Sequence, residues 1–315
     1  MWREWRSLAI SIAKLLEECP PFVGVAVTMT GELADCFATR SEGVAVILEQ
    51  LTSILPAQMV RIYCVDGSWK IVSQAARNPW SVAASNWHGL ARFASRFTGG
   101  KSCLLVDIGS TTTDLIPIRK GKIQLEARTD SQRLQAGALV YTGVERSNVA
   151  AIVSEVTLFG SSCPIMNEQF ATMRDVYQWI GEMEDAPKDC ETADGKPATR
   201  NAARYRLARV VGEDGSTLGD TDIDQIANAI ADAQTRLVAK AIAKVSAGLK
   251  FDCVAMSGHG DFLIDGALSH CGWEGERIRL RDTLGTLGCD LSRCAPAYAI
   301  ATLASEELVE GARVD

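Results

Sequence analysis

Apolar and polar positions alternate in helical and strand-like patterns through the first hundred residues. Apolar residues at steps of three and four predict a first helix, which ends at Pro20. A strand follows, and the next segment begins with a break at Gly31 and becomes helical from Val44 to Ile54 before Pro56 stops it. The Asp66-Gly67 turn then predicts a hairpin, which a third helix follows. These segments cover, in order, residues 2–18, 22–30, 31–55, 60–73 and 78–97.

The strand pattern begins again at residue 99, and we place a domain boundary there. Residues 99–125 predict a strand, a glycine turn, a second strand, a Lys-Gly turn and a third strand. Strands and helices that follow one another in this way indicate an α/β fold. We expect an N-terminal domain over 1–98 and a second domain over 99–291. Residues 160–220 are an insertion, and the last helix, within 292–315, packs back on the first domain.

The later elements of the second domain are also strongly patterned. A long amphipathic helix is predicted from Thr221, with apolar residues at steps of three and four through Val245. The strand FDCVAMSG follows, and it opens onto a glycine-rich turn before the helix FLIDGALSH. The strand RIRL and a helix over residues 297–308 complete the series.

Composition excludes several classes of partner. The net charge is −7, and no cluster of lysine and arginine could follow a nucleic-acid backbone, so we expect no nucleic-acid partner. No apolar run approaches the roughly 20 residues that a membrane helix needs, so we expect a cytoplasmic protein. The 10 cysteines are scattered singly, which is typical of reduced core thiols, and their spacing matches no common zinc module.

The most informative motif is DIGSTTTD, over residues 107–114, between two apolar strands. Gly109 permits a tight turn, whose amide groups and hydroxyls could bind a phosphate. Asp107 and Asp114 could hold Mg²⁺ or orient a nucleophile. The alternative is an ordinary hairpin with solvated carboxylates. The predicted phosphate contacts are Asp107, Gly109, Ser110, Thr111 and Thr112.

A second glycine turn follows the strand FDCVAMSG. Its two glycines leave room for part of a ligand, and His259 between them is either a ligand contact or a surface turn residue. The candidate nucleotide or substrate contacts here are Ser257, Gly258, His259 and Gly260.

The end of the first strand carries a third candidate site. Thr30 could contact substrate, because ligands bind at the carboxyl ends of strands in open α/β sheets. If the chain becomes helical at Gly31, Glu32 and Asp35 share one helix face and could act as a base or metal pair. The alternative is that both are favourable acidic residues in a first helical turn.

Two further loops present basic residues. Arg146 follows YTGVE, and Lys196 and Arg200 precede the basic helix ARYRLARVV. Each could reach an anionic substrate, and solvated surface charge is the alternative for each.

Taken together, LLVDIGSTTTDLIPI, VAVTMTGELADCF, LVYTGVERSNVAA, DGKPATRNAARYRLARVVG and VAMSGHGDF resemble the hydantoinase/oxoprolinase-related proteins of the tetrahydromethanopterin-linked one-carbon pathway. The resemblance covers nearly the whole chain. It implies the actin-like ATPase fold of sugar kinases, Hsp70 and actin, with two α/β domains around a nucleotide cleft. In that fold the Asp107 motif corresponds to the second phosphate motif, and Gly258 with Gly260 resembles the adenosine motif.

The resemblance also implies a chemistry. The expected reaction joins a diphosphate-activated aminomethylfuran to the phenol of tyramine or glutamyltyramine and releases diphosphate, for a methanofuran-type carrier. It implies Mg²⁺ for the leaving group and a base among Glu32, Asp35 and Asp114. The alternatives are an ATP-dependent hydantoinase- or oxoprolinase-like hydrolase, a small-molecule kinase, and a non-catalytic ATP-binding protein. A homodimer is a further open alternative.

One departure from the family pattern concerns the start of the chain. Related chains begin with a strand and a DIGG-like first phosphate loop, whereas this chain opens with the helix MWREWRSLAISIAKLLEE. We therefore expect that the first hairpin of the N-terminal domain is missing, because the start assigned to this sequence lies too late to include it.

Overall fold

The computed structural model describes residues 5–284 and 288–311, and within it the chain forms two compact units. Unit 1 comprises Met1–Lys101, Ile118–Asp130 and Cys294–Asp315, and unit 2 comprises Ser102–Pro117 and Ser131–Arg293. The segment Ile118–Asp130 corrects the expected boundaries, which assigned it to the second domain. It belongs to unit 1 because Arg128 donates a hydrogen bond to the Val65 carbonyl and Asp130 pairs with Arg40.

The helices and strands are numbered in chain order. The helices are α1 (Leu8–Glu17), α2 (Arg40–Thr52), α3 (Val72–Arg77), α4 (Asn86–Ala94), α5 (Asp130–Ala136), α6 (Met173–Ile180), α7 (Arg200–Arg209), α8 (Asp220–Ser246), α9 (Asp261–His270), α10 (Leu280–Thr283), α11 (Gly288–Arg293) and α12 (Ala295–Gly311). The strands are β1 (Val25–Val27), β2 (Val60–Tyr63), β3 (Trp69–Lys70), β4 (Cys103–Ile108), β5 (Thr113–Arg119), β6 (Lys122–Ile123), β7 (Leu139–Val140), β8 (Glu155–Leu158), β9 (Ser161–Pro164), β10 (Cys253–Ser257) and β11 (Glu276–Arg279).

Unit 1 is built on a small sheet in the order β1-β2-β3. β1 runs parallel to β2, and β3 is antiparallel to it across the predicted Asp66-Gly67 turn, where Gly67 has a φ of 86°. The second strand of this hairpin is shorter than predicted, because α3 begins at Val72. The apolar face of α2 packs on the buried side of β2, and α1 covers the same core from outside. The hairpin is therefore confirmed, with a helix where its second strand was expected to continue.

The C-terminal helix α12 belongs to unit 1 and packs on α4 and β1. A Cβ atom at Gly89 of α4 would lie only 2.3 Å from Ile300 Cδ1, so glycine is what lets the two helices approach so closely. Ile300 and Leu303 then form a small cluster with Tyr63. The chain end thus helps to complete the core of the unit that its beginning forms.

His88 is expected to make unit 1 sensitive to acid. It is buried on α4, with Nδ1 3.0 Å from the Tyr63 hydroxyl. Burial, and after it the charges of Arg128 and Arg92, lower the pKa of His88 from 6.5 to about 4. The unfolded chain therefore binds this proton more tightly. The stability that comes from keeping His88 neutral is fully present above pH 6.5. It falls by up to about 1.4 kcal/mol per pH unit as the pH drops towards 4.

Denaturant unfolding of the wild type and of His88→Asn at about pH 7 and about pH 4.5 measures this effect. The variant has no group that titrates at this position, so it should lose less stability on acidification. Equal losses in the two proteins would show that protonation of His88 is not what destabilises unit 1.

Unit 2 is built on a larger sheet in which β11, β10, β4 and β5 are neighbours in that order, and β7 pairs with the start of β5. β10 runs parallel to both β4 and β11. The end of β5 continues into unit 1, where it pairs with β6. β4 is almost wholly buried, because its run Cys103-Leu104-Leu105-Val106 is apolar on both faces, as expected of a central strand in a parallel sheet.

The long helix α8 confirms the predicted amphipathic pattern, with differences in detail. Ile223, Ile226 and Ile230 are buried, but Leu237 is 37% exposed, and Gln234 takes a buried place instead. The N-cap is Gly219 rather than Thr221, and its amide donates to the Asp222 carboxylate at 2.9 Å. The polar Gln234 in an apolar face is the first sign that α8 does more than fill the core.

Buried charges organise the region predicted as an insertion. Arg206 of α7 is fully buried and pairs with Asp175 at 2.6 Å and with Asp194 at 3.0 Å. Asp175 also accepts a hydrogen bond from the Thr172 amide at the start of α6. These pairs join α6, α7 and the loop between them, and so this polar stretch is held in an ordered arrangement.

Among residues 5–284 and 288–311, no helix is both long and apolar enough to cross a membrane.

Candidate phosphate-binding site

A tight turn over residues 109–112 joins β4 to β5, as the DIGSTTTD motif predicted. The Gly109 amide donates to the Thr112 carbonyl at 2.9 Å and closes the turn. Within the described ranges, the amides of Ser110, Thr111 and Thr112 donate no hydrogen bond. The Ser110 and Thr111 hydroxyls lie 3.3 Å apart. We call residues 109–112 the phosphate turn, because three successive amides and two hydroxyls are donors of the kind that bind anions in turns.

A second loop, residues 141–147, is hydrogen-bonded to the phosphate turn. The Val144 amide donates to the Gly109 carbonyl at 3.0 Å, and the amides of Glu145 and Arg146 both donate to the Ser110 carbonyl. A Cβ atom at Gly143 would lie 2.4 Å from the Gly109 oxygen and from the Thr111 nitrogen. The Gly109 and Ser110 carbonyls are therefore engaged by this loop, whereas the amides of Ser110, Thr111 and Thr112 are not.

Gln234 is a supporting residue that sequence reasoning missed. Its side-chain amide donates to Thr142 Oγ1 at 2.6 Å and to the Gly143 carbonyl at 2.9 Å, and its oxygen accepts from the Tyr177 hydroxyl. The one available signal was a glutamine inside the apolar stripe of α8. Through it, α8 and α6 fix the loop that in turn fixes the phosphate turn.

The second predicted motif lies directly beside the first. β10 is the parallel neighbour of β4, with Ser257 in register with Asp107. After Ser257, Gly258 has a φ of 87°, and a Cβ atom on it would lie 2.1 Å from the Ile108 carbonyl oxygen. The Gly260 amide donates to that same oxygen at 3.0 Å. Both motifs thus meet at the carboxyl ends of two parallel strands, where open α/β sheets bind ligands.

Asp107 supplies the charge of this site. It is partly buried, and its Oδ1 oxygen meets no donor with hydrogen-bond geometry in the described part of the chain. Burial, reinforced by the nearby charge of Asp114, raises the pKa of Asp107 to about 7, although Ser257 and His259 act to lower it. Ser257 is close enough to affect the carboxyl group, but its buried hydroxyl is not aligned to donate to it. Asp107 therefore presents an unsatisfied oxygen.

Asp114, the other carboxylate of the motif, has a different environment. It is 4% exposed and forms an ion pair with Arg133 of α5, which is 3% exposed. A buried carboxylate that pairs with a buried arginine has a structural role, because removing either partner leaves an uncompensated charge. The structure therefore gives the two aspartates of one motif contrasting surroundings.

A cluster that joins both motifs surrounds Glu145. Its Oε1 oxygen lies 3.1 Å from His259 Nε2 and 3.0 Å from an Nη atom of Arg293. The His259 ring, more than any other neighbour, lowers the pKa of Glu145, and Arg174 and Arg293 lower it further, against burial. We call Glu145, His259 and Arg293 the Glu145 cluster.

Thr30, Glu32 and Asp35 lie in unit 1, where the expected shared helix face of Glu32 and Asp35 is wrong. α2 begins only at Arg40, because Thr39 caps it, so residues 31–39 form turns. Thr30 and Asp35 are exposed, whereas Glu32 is buried, with Oε2 unpaired among the described residues. Burial raises the pKa of Glu32, and Arg40, whose Nε lies 3.9 Å away, opposes it.

The basic residues of the other loops are differently placed. Arg146 is exposed, and its backbone amide bonds to the phosphate turn. Lys196 is exposed in the loop before α7. The Arg200 guanidinium stacks on the Trp179 ring at 4.7 Å and donates to the Trp179 carbonyl. Those bonds engage Arg200 in the packing of α6 and α7, and its predicted role in substrate binding stays a prediction.

These features define an α/β protein with the actin-like ATPase fold. The structure is similar to a nucleotide-free acetone carboxylase, with a TM-score of 0.55 and 13% identity over 83% of this chain, which spans 39% of that one. The hydantoinase/oxoprolinase family model matches residues 24–306, and the chain belongs to that family.

Two curated relatives carry the same name. The first, from Methanocaldococcus jannaschii, is (4-{4-[2-(gamma-L-glutamylamino)ethyl]phenoxymethyl}furan-2-yl)methanamine synthase, with 31% identity over 284 residues, 90% of this chain and 83% of the relative. The synthase of that name from Methanococcus vannielii is 27% identical over 208 residues, 66% of this chain and 93% of the relative.

Gly109 offers a direct test of whether the phosphate turn binds a ligand. Its backbone lies outside the left-handed region, and a Cβ atom would make only an ordinary contact, 3.8 Å from the Thr112 oxygen. The fold therefore does not require glycine here, and Gly109→Ala should change stability by less than about 0.5 kcal/mol. If glycine serves close approach of a ligand, the variant should bind inorganic diphosphate at least about tenfold more weakly, measured by calorimetry.

Gly143→Ala is the contrasting variant. Its added methyl group would collide with the turn itself, so both stability and binding should fall. Wild-type affinity in Gly109→Ala would mean that the space above Gly109 is not used by a ligand.

Proposed function

We propose that this protein is a transferase of methanofuran-type carrier biosynthesis. It joins a diphosphate-activated aminomethylfuran to the phenol of tyramine or glutamyltyramine and releases diphosphate. The observation that carries the proposal is the 31% identity, over most of both chains, to a synthase whose name contains a phenoxymethylfuran group. That group is an ether between a phenol oxygen and a furan methylene carbon. The phosphate turn supports the proposal because the reaction needs a place for the leaving diphosphate.

The chain's own groups suit the stabilisation of that leaving group. As the bond between the methylene carbon and the diphosphate oxygen breaks, negative charge collects on the diphosphate. The three amides of the phosphate turn are held in place by the loop over residues 141–147 before the ligand arrives. Donors that are fixed in advance stabilise developing charge without reorganisation, which is the largest contribution in many enzymes.

Asp107 is the residue that fits Mg²⁺. Its Oδ1 oxygen is buried and unpaired in the described ranges, and Mg²⁺ is commonly held by one or two carboxylates together with substrate phosphates and water. Asp114 already pairs with Arg133, so we assign the metal contact to Asp107 first. Within the described ranges, no group of three or more His, Cys, Asp or Glu side chains could form a metal cage. When bound, Mg²⁺ would neutralise charge on the diphosphate.

The phenol must lose its proton, since its unperturbed pKa is about 10. Of the three predicted bases, Glu32 has the best-suited environment, because burial raises the pKa of its carboxyl group towards that of the phenol. Asp114 is engaged with Arg133, and Asp35 is exposed in a turn. Which of the three accepts the proton stays a prediction; if it is Glu32, Glu32→Gln should lower kcat without changing the affinity for diphosphate.

The cellular setting is part of the same proposal. Nine of the 10 cysteines are described, and these nine form no disulfide, as in proteins of a reducing compartment. We place the reaction in the cytoplasm, in a tetrahydromethanopterin-linked one-carbon pathway, and the substrate is a diphosphorylated small molecule.

The decisive experiment supplies purified protein and Mg²⁺ with the aminomethylfuran diphosphate and either tyramine or γ-glutamyltyramine. Diphosphate release and the ether product, detected by mass spectrometry, should both depend on the acceptor. A reaction without acceptor controls for simple hydrolysis. No ether with either acceptor, together with ATP turnover in the presence of a hydantoin or oxoproline, would overturn the proposal in favour of an ATP-dependent hydrolase.

A further inference from the structure

The Glu145 cluster has no role in the chemistry described so far. One carboxylate oxygen of Glu145 faces two nitrogen donors, His259 Nε2 at 3.1 Å and Arg293 at 3.0 Å. The imidazole is near Glu145 without being aligned for a full hydrogen bond, and its Nε2 atom is buried. The Arg293 side chain is 63% exposed, so much of its guanidinium faces outward. The cluster therefore holds donors that Glu145 does not fully use.

The cluster is tied by backbone bonds to both motifs of the phosphate site. The Glu145 amide donates to the Ser110 carbonyl at 3.0 Å, inside the phosphate turn. His259 stands between Gly258 and Gly260, both of which pack against Ile108 immediately before the turn. The backbone at Glu145 and at His259 is therefore held close to the turn.

The charge of this region favours an anion. The pKa of Glu145 is lowered, so its carboxylate remains ionised, and the positive charges of Arg174 and Arg293 favour that ionised form. Arg174 also pairs with Asp189, at 2.6 Å. Arg146, next in the chain to Glu145, adds an exposed guanidinium. A second anionic group beside one bound at the turn would meet the exposed Arg293 guanidinium as well as the Glu145 carboxylate.

We propose that the Glu145 cluster binds the outer phosphoryl group of a diphosphate whose inner phosphoryl group occupies the phosphate turn. His259 and Arg293 make the contacts, and Glu145 is a positioning residue that holds both. This inference rests on the proposed function for the identity of the ligand. It adds the part of the site that distinguishes a diphosphate from a single phosphate, which the three amides of the turn alone would not do.

Calorimetric titration with inorganic diphosphate and with orthophosphate, at a fixed excess of Mg²⁺, tests the inference. The variants are His259→Gln, Arg293→Gln and Glu145→Gln. The matched controls are His270→Gln and Asp232→Asn, because His270 and Asp232 form a similar but exposed pair, 3.3 Å apart, in the same unit. Thermal unfolding of each variant establishes that it is folded, and Arg293 is exposed enough that its replacement should not disturb the core.

His259→Gln and Arg293→Gln should each weaken diphosphate binding about tenfold, as expected for the loss of one charge-assisted contact. Glu145→Gln should weaken it by about threefold, because the donors remain but are less well held. Orthophosphate binding should change by less than about twofold in every variant, since the turn is intact. The two control variants should bind both anions as the wild type does.

The remaining outcomes separate this inference from the proposed function. Unchanged diphosphate binding in folded His259→Gln and Arg293→Gln would overturn the inference and leave the phosphate turn in place. Equal weakening of both anions would also overturn it, because the cluster would then shape the turn itself. ADP that binds more tightly than inorganic diphosphate, and is weakened by the same variants, would support the cluster and count against the furan substrate. A wild type that binds neither anion would end both proposals.

Discussion

Replacing Gly258 by alanine is expected to destabilise unit 2 by about 2 to 5 kcal/mol and to abolish ligand binding. Two causes act together. The φ of 87° lies in the left-handed region, which costs a residue with a Cβ atom roughly 1 to 2 kcal/mol. The added atom would also stand 2.1 Å from the Ile108 oxygen and 2.9 Å from the Ile108 nitrogen, which are backbone atoms that cannot turn away. Relief would require β4 and β10 to separate, which forces a repacking cost of roughly 1 to 3 kcal/mol more.

Gly248→Ala is the matched control for this prediction. Gly248 has a φ of 77°, but no atom lies within 4 Å of the position that its Cβ atom would take, so only the backbone cost applies. Denaturant unfolding should show a loss of about 1 to 2 kcal/mol for Gly248→Ala. If the two variants lose the same stability, the close approach of the bend to Ile108 is not a fixed feature of the fold.

The elements around the site could be predicted because their signals are local. β4, the turn at Gly109 and β5 follow from two apolar runs separated by a glycine and four hydroxyl side chains. β10 and the bend at Gly258 follow in the same way. That the two glycine turns lie side by side follows from the parallel pairing of β4 and β10. The family resemblance implied that arrangement, and no local pattern did.

The errors arose where distant residues decide the structure. Glu32 and Asp35 would share a helix face only if the helix began at Gly31, but the chain there crosses α2, and a Cβ atom at Gly43 would lie 2.0 Å from the Glu32 carbonyl oxygen. Because of that crossing, α2 begins only at Arg40. Gln234 was overlooked because its partners, Thr142 and Gly143, are 92 and 91 residues away in the chain. Periodicity detects which face of a helix is buried, and it does not detect which buried polar group holds a functional loop.

The two aspartates of DIGSTTTD are expected to respond in opposite directions to the same substitution. Asp114→Asn removes the carboxylate from a buried ion pair with Arg133, so we expect a loss of about 3 to 5 kcal/mol. Asp107→Asn removes a buried carboxylate that lacks a hydrogen bond on Oδ1, so in metal-free buffer at about pH 8 we expect a gain of about 1 to 3 kcal/mol. Denaturant unfolding of both variants measures these changes.

The pH dependence of the stability of Asp107→Asn identifies the cause of its gain in stability. The pKa of Asp107 is raised from 3.8 to about 7 in the folded chain, so the unfolded chain loses this proton first as the pH rises. Wild-type stability therefore falls between pH 3.8 and 7, and the advantage of the variant should grow through that window and then level off. An advantage that is the same at about pH 4 and about pH 8 would mean that ionisation of Asp107 is not what the fold resists.

At Asp107, the substitution that raises the stability of the protein should lower its activity. If Asp107 holds the metal and faces the diphosphate, Asp107→Asn should lower kcat by a factor of about 100 or more while the protein becomes more stable. A carboxylate that is retained although it destabilises the fold is the signature of a functional group. If Asp107→Asn instead loses stability as Asp114→Asn does and keeps its activity, the motif is a structural hairpin, and the phosphate turn has no catalytic part in the protein.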